Sequence, residues 1–107
     1  MIVSGGENVY CAEVEGALAG HPAVAAVAVI GVPSSSWGES VHAVVVRKAG
    51  AETDAEALIA HCRTLIAGYK CPRSVAFIDA LPVSGAGKVM KYKLREPHWA
   101  GHARRIG

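Results

Sequence analysis

Apolar positions along this chain alternate between helical three- and four-residue steps and unbroken runs, and these switches predict its elements. In AEVEGALAG (Ala12–Gly20), Val14, Ala17 and Leu18 share one helical face. Gly20 is placed to end that helix, and His21-Pro22 prevents its continuation. AVAAVAVIGV (Ala23–Val32) is apolar throughout between two prolines and predicts a strand buried on both faces. A turn through PSSSWGE leads to a second strand, Ser40–Lys48. The clearest helix follows. Thr53 and Glu56 form a T-x-x-E capping box, and Ala55, Leu58, Ile59, Cys62, Leu65, Ile66 and Tyr69 recur as one apolar stripe, with Gly68 as the natural stop. Ser74–Leu81 predicts a third strand. Beyond a glycine loop, KYKLRE predicts a short helix broken by Pro97.

This order predicts an α+β fold in which helices pack on a small sheet of about three strands. Residues 1–96 make the domain, and 97–107 read as a loosely structured basic tail. A length of 107 residues fits one domain, and 51% hydrophobic content is ample for its core. No apolar run approaches the ~18–20 residues that span a bilayer. MIVSGGENVY lacks the basic and apolar regions of a secretory signal. Cys11, Cys62 and Cys71 have no paired spacing, which predicts reduced thiols and a cytoplasmic location. Cys62 lies on the apolar stripe and reads as a core residue.

The net charge of +2 conceals an asymmetry. Residues 1–69 carry three basic and seven acidic side chains, a balance of −4, whereas residues 70–107 carry eight and two, a balance of +6. The basic half attracts anions without specifying which. At its centre is LPVSGAGKVMKYKLRE (Leu81–Glu96), where two glycines flank the approach to Lys88.

A phosphate-binding P-loop needs G-x-x-x-x-G-K-[ST]; here Pro82 and Val89 occupy the first and last positions, which excludes it. A single-strand nucleic-acid face needs stacking platforms, and six aromatics, with Tyr69 on a helix stripe and Phe77 in a strand, argue against one. No metal site is expected: His98 and His102 have i, i+4 spacing without a third ligand, and His21, His42 and His61 are scattered. What remains is the lysine, a point charge on a flexible stem suited to one concentrated negative charge. Glycines beside it let backbone approach a ligand closely. A thin sheet offers no deep pocket, so Lys88 is expected to work in an active site completed elsewhere.

SGGENVYCAEVE (Ser4–Glu15), VIGVPSSSWGESVHAVVV (Val29–Val46) and GYKCPRSVAFIDALPVSGAGKVMKYKLRE (Gly68–Glu96) stand in an order that resembles the C-terminal domain of acyl-adenylate-forming enzymes. These are the acyl-CoA synthetases, with relatives among luciferases and peptide-synthetase adenylation domains. SGGENVY and LREPHWAG are most similar to bacterial fatty-acyl-CoA synthetases.

The resemblance implies a two-step ligase. A carboxylate attacks ATP to give acyl-AMP and pyrophosphate, and coenzyme A then displaces AMP to give a thioester. The small domain closes on a large N-terminal adenylation domain in two orientations, one for each step. Lys88 matches the lysine that bridges carboxylate and AMP phosphate, with Gly87 beside it. Ser4, Gly5, Gly6, Glu7 and Asn8 match the loop that lines the pantetheine channel; read without the resemblance, the same glycines make a plain hairpin turn. Trp37, Tyr69, Lys70 and Arg73 fall where such domains meet the CoA nucleotide, core packing being the other reading of Trp37 and Tyr69.

ATP and CoA are therefore the expected cosubstrates, with Mg2+ in the N-terminal domain and a fatty or other carboxylic acid as substrate. Pro82 and Gly87-Lys88 also make the arrangement that a lysine acetyltransferase modifies in this family. Departures from the family pattern are Ala86 for Ser or Thr, Val83 for a basic residue, Cys11 for proline and Cys71 for a small apolar residue. The match starts just after the family's hinge position, so the ATP- and acyl-binding domain is expected outside this chain. The competing classes are a stand-alone CoA- or partner-binding module without catalysis, and an oligomerisation domain.

Overall fold

The structure, a computed structural model, describes residues 1–36 and 38–100; Trp37 and the tail from 101 to 107, with the expectations placed on them, lie outside the described residues. Five strands and three helices follow in the order β1 (Ile2–Ser4), β2 (Glu7–Val9), α1 (Cys11–Ala19), β3 (Val24–Ser34), β4 (Gly38–Arg47), α2 (Ala55–Arg63), a 3₁₀ turn (Gly68–Lys70), β5 (Ser74–Phe77) and α3 (Lys91–Trp99).

The α+β class holds, but the sheet has five strands rather than about three. The two unpredicted strands, β1 and β2, are three residues each, too short for alternation to show. Strand order is β2-β1-β4-β3, with β5 laid parallel on β4 from His42↔Ser74 to Val45↔Phe77. The antiparallel β3–β4 ladder runs into the predicted turn, where Pro33 pairs with Glu39 and Ser34 with Gly38. Proline is tolerated there because β3 is an edge strand, whose outer side lacks a partner for the missing N–H.

Period-two alternation on these strands divides the core between two faces. Val29, Val41, Ala43 and Val45 pack with Val14 and Leu18 of α1 and with Leu58 and Cys62 of α2. Ile30, Val32 and Val44 point the other way, toward Leu94 of α3 and Ile78 and Leu81. Burial raises the Cys62 thiol to about 12, with a hydrogen bond to Cys71 adding to it, so Cys62 is an inert core residue. No helix among the described residues is long and apolar enough to cross a membrane.

Three local expectations are corrected. The N-cap of α2 is Asp54, whose Oδ1 accepts the Ala57 amide at 2.8 Å, while the Thr53 hydroxyl is buried without a partner among the described residues. That helix stops at Arg63, where Thr64 turns its hydroxyl onto the His61 carbonyl, so Leu65 and Tyr69 leave the apolar stripe and are exposed. Helix α3 passes through Pro97 to Trp99. Proline removes one internal hydrogen bond, but Ala100 N–H still reaches the Glu96 carbonyl, and the Trp99 indole donates to Gly31 O at 3.0 Å.

His42 interrupts the α3 face of the sheet. Its Nδ1 is 2.6 Å from Ser74 Oγ, its Nε2 is buried without a partner among the described residues, and the His98 ring stands 4.9 Å away, centroid to centroid. Burial, with the His98 charge second, lowers its pKa to about 4. The unfolded chain takes up this proton near the ordinary value of 6.5. Stability from the neutral ring is therefore complete above pH ~6.5 and lost as pH falls toward ~4, a total of about 3 kcal/mol.

Urea unfolding from pH 7 to 4.5 should show this decline, and His42→Leu should flatten it; equal slopes in both proteins would refute the assignment. Asp54→Ala should cost about 1 kcal/mol and Thr53→Ala much less. The reverse order in urea melts would restore Thr53 as the cap.

Candidate functional site

The loop around Lys88 is a tight hairpin with its own hydrogen bonds. Gly87 N–H donates to the Ser84 carbonyl at 2.9 Å and Ser84 N–H to the Lys88 carbonyl at 2.8 Å. Gly87 adopts φ +84°, a left-handed conformation that side chains disfavour. This is a turn closed by a glycine bulge, a common form of short hairpin. Ser84 Oγ accepts the amides of Ala86 and Lys88, both at 3.3 Å, and Val83 bridges to Val89 below the turn. Met90 N–H donates to the Pro82 carbonyl at 2.8 Å and closes the base. Lys88 is exposed at the exit of this turn, and among the described residues nothing is bonded to its ammonium group. The backbone is fixed and the charge is left for a partner.

SGGEN is the turn between β1 and β2. Gly5 and Gly6 have φ +59° and +83°, and Ser4 pairs with Glu7 across them, a two-residue turn that needs left-handed backbone at both positions. The hairpin reading of these glycines is therefore right in geometry, and it leaves the loop backbone bare of side chains. Glu39, which sequence reasoning did not single out, holds this hairpin in place. Its Oε1 accepts the Val3 amide at 3.0 Å, and a Cβ on Gly31 would stand 2.6 Å from its Oε2, so the glycine makes room for the carboxylate.

Tyr69, Lys70 and Arg73 flank a shallow cleft of about 460 Å³ lined by Ile59, Arg63, Tyr69, Pro72 and Arg73. Tyr69 is 46% exposed, which removes core packing as an account of it. Lys70 is paired with Glu13 at 3.0 Å, a bond that raises its pKa, and its ammonium lies 5.7 Å from the Tyr69 ring centroid. Arg63 completes a cationic rim that was not anticipated; the only sequence signal was a basic residue in the last turn of α2. An exposed aromatic side chain sharing a cleft with two arginines suits a stacked base with phosphate nearby. Among the described residues no group of three or more His, Cys, Asp or Glu side chains is placed to hold a metal ion.

The three groups are thus carried by different elements: an edge hairpin, the turn before α3, and the corner between α2 and β5. The fold does not gather them into one pocket.

Residues 13–88 match the model of the AMP-binding enzyme C-terminal domain. The chain is 55% identical over 95 residues to a feruloyl-CoA synthase of an Amycolatopsis species, covering 89% of this chain and 19% of that protein. Among solved structures it superposes on a Mycobacterium tuberculosis fatty acyl CoA synthetase with a TM-score of 0.86 at 45% identity, covering 92% of this chain and 19% of the other. ATP-bound MatB from Rhodopseudomonas palustris gives a TM-score of 0.86 at 42% identity, with 89% and 19% covered. The chain thus spans about a fifth of each of these proteins. With the family's model matched over residues 13–88 and the whole fold superposing at a TM-score of 0.86, the chain belongs to the AMP-binding enzyme C-terminal domain family.

Proposed function

We propose that this chain is the closing domain of an AMP-forming carboxylate–CoA ligase, inactive until it meets an N-terminal adenylation domain. The observation that carries this reading is Lys88, an exposed ammonium on a hydrogen-bonded turn, with nothing among the described residues to neutralise it.

In acyl-AMP formation, Lys88 bridges the substrate carboxylate and the phosphate of the nucleotide as negative charge shifts between them. At an effective dielectric near 20 and ~4 Å, one such contact is worth about 4 kcal/mol. Acting in the transition state, it contributes on the order of a thousandfold in rate. In thioester formation the domain rotates and Ser4–Asn8 takes over, its bare Gly5-Gly6 backbone lining the pantetheine passage. ATP and its Mg2+ are held mainly by the N-terminal domain, as is the acyl chain. The acid is accordingly proposed as a carboxylic acid, with fatty and feruloyl acids offered by the relatives' names. The CoA nucleotide is assigned to the cleft at Tyr69, with Arg63 and Arg73 at its phosphates and Lys70 holding the corner through Glu13. Reduced Cys11, Cys62 and Cys71 support a cytoplasmic setting. The exposed Lys88 turn also suits a lysine acetyltransferase, which would remove the bridging charge.

In the intact ligase, Lys88→Ala should lower acyl-AMP formation on the order of a thousandfold while sparing thioester formation from supplied acyl-AMP. Equal loss of both steps would make Lys88 structural. Tyr69→Ala and Arg73→Ala should each raise KM for CoA about tenfold and leave pyrophosphate release unchanged. An unaltered KM for CoA in both would move the nucleotide elsewhere.

A further inference from the structure

Glu15 lies on α1, yet its carboxylate joins two other elements. Its Oε2 accepts the Val29 amide of β3 at 2.8 Å and meets the Lys91 ammonium at 2.7 Å. Val29 N–H points from the outer edge of the sheet, where no further strand pairs with β3. Lys91 is the first residue of α3 and stands three residues after Lys88. The Glu15 and Lys91 side chains are 26% and 30% exposed, so solvent screens the pair less than it screens a fully exposed one.

Helix α3 begins poorly on its own. Met90, at its N-cap, makes no side-chain cap bond, and its first turn has no acidic residue. Lys91 and Lys93 add positive charge where the helix dipole is already positive. The missing anion comes from α1 as Glu15. The Lys88 turn is internally closed by the Met90–Pro82 bond, so it moves as a unit with the start of α3. Whatever fixes Lys91 also fixes the direction in which the turn leaves the sheet.

We propose that Glu15 is a positioning residue for Lys88, clasping the first turn of α3 to the outer edge of β3. This rests on the reading of Lys88 given above. In adenylation, aim is critical, because small displacements of a reacting charge lower the rate steeply. The clasp lies at the β3 edge of the sheet and the Ser4–Asn8 hairpin at the opposite β2–β1 edge, so the clasp is expected to serve the first half-reaction alone.

The test uses the intact ligase, with pyrophosphate release and thioester formation from supplied acyl-AMP measured separately. Lys91→Met breaks the ion pair but keeps the Glu15–Val29 hydrogen bond, so it tests the clasp even if Glu15→Ala fails to fold. Both variants should lower kcat for pyrophosphate release about tenfold, with KM for ATP unchanged and thioester formation within about twofold of the parent. Glu15→Gln, which retains an acceptor for both partners, should recover most of the rate. The double variant should be no slower than the slower single one, as expected for residues acting through one contact. Equal loss in both half-reactions would reduce Glu15 to a stabilising residue and overturn the proposal, as would additive losses or no loss. Lys88→Ala run alongside separates the two ideas. If it abolishes pyrophosphate release while the clasp variants do not slow it, the clasp alone is wrong. If it spares pyrophosphate release, the reading of Lys88 fails and the clasp with it.

Discussion

Antiparallel pairing of β3 with β4 is the constraint on which the other elements depend. Both faces of this ribbon are covered, so neither strand has a face to leave in water, and the ladder must hold one register. A shift of β4 by one residue would turn Val41, Ala43 and Val45 from the α1–α2 face to the α3 face. Strand β4 is also paired along its second edge, by β1 at Gly38 and by β5 from His42 to Val45. The elements that carry the functional residues are all attached, directly or through one helix, to this ribbon.

The parts legible in the sequence were those with long patterns. The runs Ala23–Val32 and Ser40–Lys48 announced the ribbon, and Val14, Ala17 and Leu18 announced the buried face of α1. What stayed hidden was set by a few atoms. Three-residue strands carry no period, so β1 and β2 did not appear. Thr53 and Asp54 are both good caps by composition, and only backbone geometry decides that Asp54 reaches the Ala57 amide. Pro97 reads as a break until Trp99 is seen to hydrogen-bond to Gly31 across the sheet. Within the site, Lys88 stood out because its glycines are local. Arg63, Glu15 and Glu39 did not, because their partners lie far along the chain.

The electrostatics of the basic half are uneven. Lys70 and Lys91 are answered within the domain by Glu13 and Glu15, two acids on either side of Val14 in α1. Lys88 has no such answer among the described residues. Neutralising its neighbours' charge makes the field at the tip of the turn more nearly that of one cation, suited to a single anionic target rather than to a long polyanion. The same helix therefore braces both the corner at Tyr69 and the lysine turn, from the two flanks of its apolar face.

The covered edge of β3 has a consequence for behaviour in solution. A sheet with open sides is a template on which another chain can add a strand. Here one outer strand is occupied at Val29 by the Glu15 carboxylate, and the other, β2, is only three residues long with Glu7 and Asn8 exposed on it. On the β3 side the row of donors is interrupted at Val29 by a part-buried carboxylate, and the β2 side is too short to template a strand. A carboxylate on one margin and shortness on the other let these edges meet solvent with little tendency to capture a second sheet.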